Sequence, residues 1–350
     1  MIVRYFLKNT LLLACLLCIY CTQPVQIDTP DQKEFTSVWQ YLKTYSIYQK
    51  MDSISQNPFS FSSPQAMLDS TYDTLRGIYY TSYLFEDVNK FLKKSTASGN
   101  LVSFDSLTES CCLVTISSFK DEKGDRVYDE FLSILPQVNR FSKIIFDVRS
   151  NGGGNIATMD SIIEDVLPAG IRYLRTQERV YNSTAKTAST VDSIWQTKRP
   201  PKNEFVNKKF AVLINEGSAS ASEIFAIALK DGLGVPLYGT KSYGKAIGQI
   251  ELMRRERRGL KITYAHFYRI KNFTNKNGDY HRLGITPDTI SDLLQRQSIG
   301  ISDKTLFYAI KTLQPSVANN KIMYPLSKRS ASLTVSGSGL YKIINESDLD

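Results

Sequence analysis

Histidine and cysteine are scarce in this 350-residue chain, with two and five copies respectively. His266 and His281 are too few for an ordinary zinc centre, and no Cys-x-x-Cys pair in the body replaces them. Three cysteines fall within residues 1–21, leaving only Cys111 and Cys112 beyond. Adjacent cysteines rarely bridge each other, because a relaxed disulfide needs a larger Cα separation than neighbours provide. A disulfide framework is therefore excluded, and neither a metal nor a cofactor is expected. Long apolar runs are also missing after the N-terminus, so nothing there matches a membrane-spanning helix of about 20 apolar residues. Internal repeats and low-complexity linkers are absent as well.

What remains has the composition of a folded soluble protein, 42% hydrophobic and 22% charged. The net charge of +9 is diffuse. Its densest cluster, Arg254–Arg258, reads as a solvated hairpin turn, and a nucleic-acid partner is not expected. Arg4 and Lys8 precede an apolar run, Thr10–Tyr20, and the chain turns polar at Cys21, the pattern of a secretory signal. The segment resembles a bacterial lipoprotein signal, in which the cysteine after the cut carries the lipid. Cys15 has the better local sequence before it and Cys21 the better-sized apolar segment. Cys21 is preferred, against a plain signal with incidental cysteines. The expectation is an exported protein of the bacterial cell envelope, in the periplasm, attached to the membrane through a lipid on Cys21.

Residues 28 to about 95 read as helical: an aromatic helix over Phe35–Tyr48, a second over Gln65–Arg76 after Pro64, and a third over Phe85–Lys94. From Cys111 the texture changes to strand–helix alternation. Leu113–Phe119, Lys143–Val148 and Phe210–Ile214 are strand-like, with helices over Tyr128–Leu135, Met159–Leu167, Ser222–Lys230 and Asp303–Leu313. Leu260–Tyr268 is a longer strand carrying His266, which reads as structural, while His281 reads as exposed. The order argues for an α/β core with parallel pairing.

Two strand-to-loop junctions carry chemistry. Asp147–Gly154 ends in three glycines, which let backbone N–H groups approach a ligand or a developing oxyanion. Asn215–Phe225 places serines at a helix start. Ser220 and Glu223 have capping-box spacing, yet a serine there also lies beside oriented N–H donors that would stabilise an anionic acyl-transfer intermediate. No histidine signature supplies a base. Tyr243–Gln249 offers Lys245, which would need its pKa lowered from ~10.4 to ~7.5, at about 4 kcal/mol, by burial. In an extended segment Gln249 returns to the same face as Lys245, and a neutral amide orients the amine without stabilising its charge.

Asn215–Glu223 and Tyr243–Gln249 together resemble the paired signatures of the C-terminal processing, or tail-specific, serine peptidases. Asp147–Gly154 resembles that family's oxyanion segment, Leu283–Asp288 its short motif after the catalytic strands, and Thr81–Tyr83 the end of its N-terminal helical domain. The resemblance spans roughly residues 65–315. It implies an α/β, ClpP/crotonase-like core behind that helical domain, acting as a serine endopeptidase on polypeptide substrates. It implies Ser220 as nucleophile rather than Ser218 or Ser222, Lys245 as general base and Gln249 as its orienter. Backbone N–H groups of Ala221 and of Gly153 or Gly154 would form the oxyanion hole. The expected division is a signal at 1–21, a helical domain at 22–110, a peptidase core at 111–315 and a tail at 316–350. Two departures stand out. Residues 84–110 are too few for the family's PDZ domain, since a small domain needs about 50, and Ala246 replaces a usual glycine. A non-catalytic ligand- or peptide-binding protein on the same fold is the alternative reading. Without a PDZ domain, the aromatic face of Phe35, Trp39, Tyr41, Tyr45 and Tyr48 either packs on the core or lines a substrate groove.

Overall fold

Continuous apolar runs, unlike alternating ones, mark strands covered on both faces. The computed structural model describes residues 30–48, 57–71, 73–85, 99–120, 126–253, 259–270, 278–290, 303–315 and 339–343. In chain order these hold α1 (Pro30–Tyr45), α2 (Pro64–Asp69), β1 (Thr74–Leu75), β2 (Ile78–Tyr79), β3 (Ser82–Phe85), β4 (Val102–Ser106) and β5 (Cys111–Ile116). Next come α3 (Arg126–Val138), β6 (Lys143–Asp147), α4 (Ile156–Val166), β7 (Arg172–Asn182), β8 (Thr187–Gln196), β9 (Lys209–Ile214) and α5 (Ala221–Leu233). The last are β10 (Leu237–Gly239), β11 (Ile247–Met253), β12 (Gly259–Tyr268), β13 (Thr289–Ile290), α6 (Lys304–Leu313) and β14 (Gly339–Ile343).

The first sheet has the order β13–β10–β9–β6–β5–β4. Its pairs are parallel except β4 with β5. Its centre is formed by the runs Cys-Cys-Leu-Val-Thr-Ile, Lys-Ile-Ile-Phe-Asp and Lys-Phe-Ala-Val-Leu-Ile. Alternate residues serve opposite faces. Val114, Phe146 and Val212 meet α3, α4 and α5 through Phe131, Ile162 and Phe225. Leu113, Ile145 and Leu213 meet α6 through Leu306 and Ile310. This is the expected α/β class, with parallel strands delivering two loops to one end.

The second sheet runs β14–β11–β12–β7–β8, with β3 also on β12. β12 is long enough to pair twice along one edge, Gly259–Lys261 with β3 and Ala265–Tyr268 with β7. Ile250 and Leu252 of β11 and Leu260 and Ile262 of β12 pack on Val38, Tyr41 and Leu42 of α1 and Met67 and Leu68 of α2. By strand alternation Gln249, Glu251, Lys261 and Thr263 occupy the other face.

The aromatic face of α1 is therefore core packing: Tyr41 and Tyr45 are buried, and Phe35 and Trp39 lie against the same cluster. The expected helix over Gln65–Arg76 stops at Asp69. Arg76 and Gly77 both take positive φ, 52° and 76°, which forms a two-residue turn and pairs Leu75 with Ile78 as a hairpin. The β7–β8 hairpin has no counterpart in the sequence reading, because most of β8 is exposed and lacks an apolar alternation. The signal segment with Cys15 and Cys21, residues 86–94 of the third expected helix, the Arg254–Arg258 cluster and most of 316–350 lie outside the described residues. Among the described residues no helix is long and apolar enough to cross a membrane.

Candidate active site

β9 feeds a tight loop that ends at Ser220, the residue before α5. Ser220 has φ 57° and ψ −120°, a backbone conformation that L-residues rarely adopt. Such strain persists only where surrounding bonds over-determine it, and here they do. Asn215 Oδ1 accepts from the N–H groups of Ser150 (2.7 Å) and Gly217 (3.0 Å). The Asn151 carbonyl accepts from Ala219 N–H (3.0 Å) and from Ser222 Oγ (2.8 Å). Ser218 Oγ donates to the Val148 carbonyl (2.7 Å) and accepts from Asn215 N–H (3.0 Å). Both rival serines thus donate their hydroxyl protons to loop carbonyls, whereas Ser220 Oγ, at capping-box distance of the Glu223 N–H, donates to no carbonyl among the described residues.

The glycine loop lies directly against this turn. Gly153 has φ 97°, and a Cβ there would fall 2.8 Å from Ser220 Cβ and 3.1 Å from Ala221 N. Its missing side chain leaves space in front of the Ala221 N–H, which at the first helical position has no intrahelical acceptor. The Gly153 N–H itself donates to Asn151 Oδ1 (2.9 Å), so this expected oxyanion donor is already engaged. Gly154 is pressed against Phe119, whose carbonyl carbon would lie 1.9 Å from a Cβ at that position. Arg149 anchors the strand end, with Nη2 2.7 Å from both Asp147 and Asp303, the residue before α6.

Glu223 joins the nucleophile to the lysine segment. Its fully buried carboxylate accepts from the N–H groups of Ser220 (2.9 Å), Gly244 (2.8 Å) and Lys245 (2.8 Å), and from Ser242 Oγ. Burial raises the pKa of this carboxyl while the hydrogen bonds pull it down. Ser242 Oγ in turn accepts from Ile285 N–H (2.7 Å), which gives the Leu283–Asp288 motif its place.

Lys245 is 1% exposed. Burial first, and then the positive charge of Lys261, lower its pKa to about 7, against the attraction of Asp73, Glu251 and Glu223. Its Nζ lies 5.0 Å from the centroid of the Tyr80 ring. Gln249 Nε2 donates to the Tyr80 carbonyl (2.6 Å), while Gln249 Oε1 is buried with no hydrogen-bond partner among the described residues. Lys245 and Gln249 thus share Tyr80 as a neighbour. Asp73, also fully buried, accepts from Tyr48 Oη (2.7 Å), Thr81 Oγ1 (3.1 Å) and Thr263 Oγ1.

Asn151, Asn215, Asp73 and Tyr80 are missed by sequence reasoning. The asparagines carry a local signal, Asn151 directly before Gly152 and Asn215 two residues before Gly217 in strand-to-loop junctions, whereas Asp73 and Tyr80 lie far from the motifs they serve. His266 packs its ring against Tyr48, Tyr268 and His281, as a structural residue does. His281 is half-buried rather than exposed. Its ring nitrogens have no hydrogen-bond partner among the described residues, and burial with His266 nearby pushes its pKa down to about 4. No cluster of three metal-ligating side chains occurs among the described residues.

With the geometry in place, the chain can be compared with known proteins. The profile of Peptidase family S41 matches residues 110–291. A CtpA-like serine protease of Staphylococcus aureus is 26% identical over 211 residues, 60% of this chain and 39% of that protein. The chain spans about two-fifths of the length of the curated relatives it matches. A lipoprotein from Streptococcus agalactiae has a similar fold, with TM-score 0.57 at 15% identity over 85% of this chain and all of that one. The photosystem II D1 C-terminal processing protease does too, with TM-score 0.54 at 14% identity over 76% of this chain and 94% of that one.

Proposed function

Since this chain belongs to peptidase family S41, we propose that it is a serine endopeptidase that cuts polypeptides through an acyl-enzyme on Ser220, with neutral Lys245 as general base. One observation carries the reading: a fully buried lysine, with its pKa lowered to about 7, is tied through Glu223 to the one serine of three whose hydroxyl donates to no loop carbonyl among the described residues. Burying a lysine without an ion pair is costly, and base catalysis gives that cost a purpose. A binding module would gain nothing from it.

In the proposed reaction Ser220 Oγ attacks the scissile carbonyl carbon as its proton passes to Lys245 Nζ. The oxyanion is met by the Ala221 N–H, in the space that Gly153 leaves open. Lys245 then returns the proton to the leaving amine, the C–N bond breaks, and a water activated by the same lysine hydrolyses the ester. Gln249 Oε1, which has no hydrogen-bond partner among the described residues, would accept from a Lys245 N–H and hold the amine in line.

Residues 22–110 are not wholly helical, since β3 and β4 join the two sheets; a boundary near residue 110, export to the cell envelope and a lipid on Cys21 are part of the same proposal. A fluorophosphonate probe tests the chemistry. Labelling of the wild type, lost in both Ser220→Ala and Lys245→Arg, is the expected result. Arginine keeps the charge but does not deprotonate, so a labelled Lys245→Arg protein would remove lysine as the base.

A further inference from the structure

The charges that act on the Lys245 amine are Lys261, Asp73, Glu251 and Glu223. Tyr80 walls the amine off, Glu223 ties its backbone, and Asp73 organises Tyr48, Thr81 and Thr263. His281, whose own pKa the Lys245 charge lowers, lies in the loop before Gly284, and Glu251 stands two residues beyond Gln249 on β11. Lys261 enters neither the sequence motif nor the reaction.

Its placement is specific. In the β11–β12 ladder Gln249 is opposite Thr263, and Glu251 is opposite Lys261. All four lie on the face turned away from α1 and α2, and Gln249, Glu251 and Thr263 are buried. Thr263 donates to Asp73, and Gln249 is bonded to the residue whose ring covers Lys245. A continuous buried polar stripe therefore runs from Lys245 to Lys261. It carries two carboxylates, Asp73 and Glu251, and both favour a charged Lys245. Lys261 is the cation within that stripe that opposes them.

We infer that Lys261 is a positioning residue for catalysis: its charge offsets Asp73 and Glu251 and so holds Lys245 as a neutral amine at neutral pH. This rests on the reading of Lys245 as general base. Burial lowers the pKa of Lys261 itself, and the charge of Lys120 acts the same way, while Glu251 across the ladder and Asp73 favour its charged form. Two lysines at a site, one charged and one kept neutral by it, is a known way to activate an amine. Burial acts first in the same direction, and the Lys261 charge adds to it against the carboxylates.

The test is the pH dependence of Ser220 acylation by a fluorophosphonate, measured on the full chain. In the wild type the rate should rise with pH through about 7. In Lys261→Met the midpoint should move up by about one pH unit, with the high-pH plateau kept within about threefold. Lys261→Arg should restore the wild-type midpoint, and Glu251→Gln should move it down. A role in folding alone would lower the plateau or the melting temperature without moving the midpoint, and that result overturns the inference. So does a midpoint in Lys261→Arg that matches Lys261→Met. If instead the wild type shows no Lys245-dependent labelling of Ser220, the general-base reading itself fails, which separates the two outcomes.

Discussion

On the nucleophile side, Ser220 is shaped by uncharged groups: the carboxamides of Asn151 and Asn215, the hydroxyls of Ser218 and Ser222, and backbone amides. Glu223 is the carboxylate that bonds the Ser220 backbone N–H. On the base side, Lys245 sits among Asp73, Glu251, Lys261 and Glu223, all of which act on its protonation. The two sides solve different problems. A nucleophile needs its oxygen in one place, which short hydrogen bonds to backbone achieve. A lysine base needs a particular protonation state, which only burial and nearby charge set. Changes on the first side should act through geometry, and changes on the second through pH.

The largest effect expected is loss of either reacting group. Ser220→Ala and Lys245→Met should each lower kcat/KM by about 10⁴-fold or more, with little further loss in the double variant, because residues that act as a unit are not additive. Their stabilities should part ways. Below the folded-state value of about 7, Lys245 is charged in both the folded and unfolded chain, and the fold bears the whole cost of burying that charge. That cost fades as pH rises toward the ordinary lysine range. Lys245→Met should therefore raise stability by about 2 kcal/mol or more at pH 6 and by less at pH 9. Ser220→Ala should show no such pH dependence in denaturant titrations at the two pH values.

Next in size is Gly153→Ala. Its Cβ would lie 2.7 Å from the Ala219 carbonyl oxygen and 2.8 Å from Ser220 Cβ, at φ 97°. The expected loss is about 10²- to 10³-fold in kcat, the scale of a damaged oxyanion site, with an unchanged pH midpoint. A moved midpoint would show that the two sides are not separable in this way.

Glu223→Gln comes third, because Glu223 belongs to both sides. It keeps the shape but removes a charge that accepts three backbone N–H bonds, so about a 10- to 100-fold loss of activity is expected. Removing this anion should also lower the pH midpoint, since it no longer favours the ammonium. A simple rate–pH series reads both. Smallest is Gln249→Ala, at about tenfold in turnover. Gln249→Glu should raise the pH midpoint, and an unmoved midpoint would mean that Gln249 and Lys245 do not interact.

The same contrast explains what was legible in the sequence. β5, β6 and β9 were readable because each is one uninterrupted apolar run, and the glycine loop and serine turn because their constraints are local to a few residues. Roles within those loops were less accessible. That Gly153 N–H is engaged by Asn151, and that Ser218 and Ser222 are consumed by carbonyls, depends on how two loops cross. The base side was harder still. No period or spacing links Asp73 or Tyr80 to Lys245, and the polar stripe on β11 and β12 alternates like the outward face of any strand. The hairpin at Arg76–Gly77 is hidden because a helical pattern runs into it, although the helix stops at Asp69 and two positive φ values turn the chain at 76–77.

The Tyr80–Gln249 and Asp73–Thr263 bonds also bear on the order in which the molecule assembles. They span 169 and 190 positions of chain, whereas those joining the glycine loop to the serine turn span about 65 to 71. Closing the longer loops costs more entropy and slows the step that closes them. Local opening that releases residues 73–80 strips Lys245 of its covering ring and admits water, which recharges the amine, while the serine turn stays intact. On the proposed mechanism, a molecule caught partly folded would hold a shaped serine turn with a protonated lysine. It would be inert toward its own unfolded copies at the stage when those copies are most exposed.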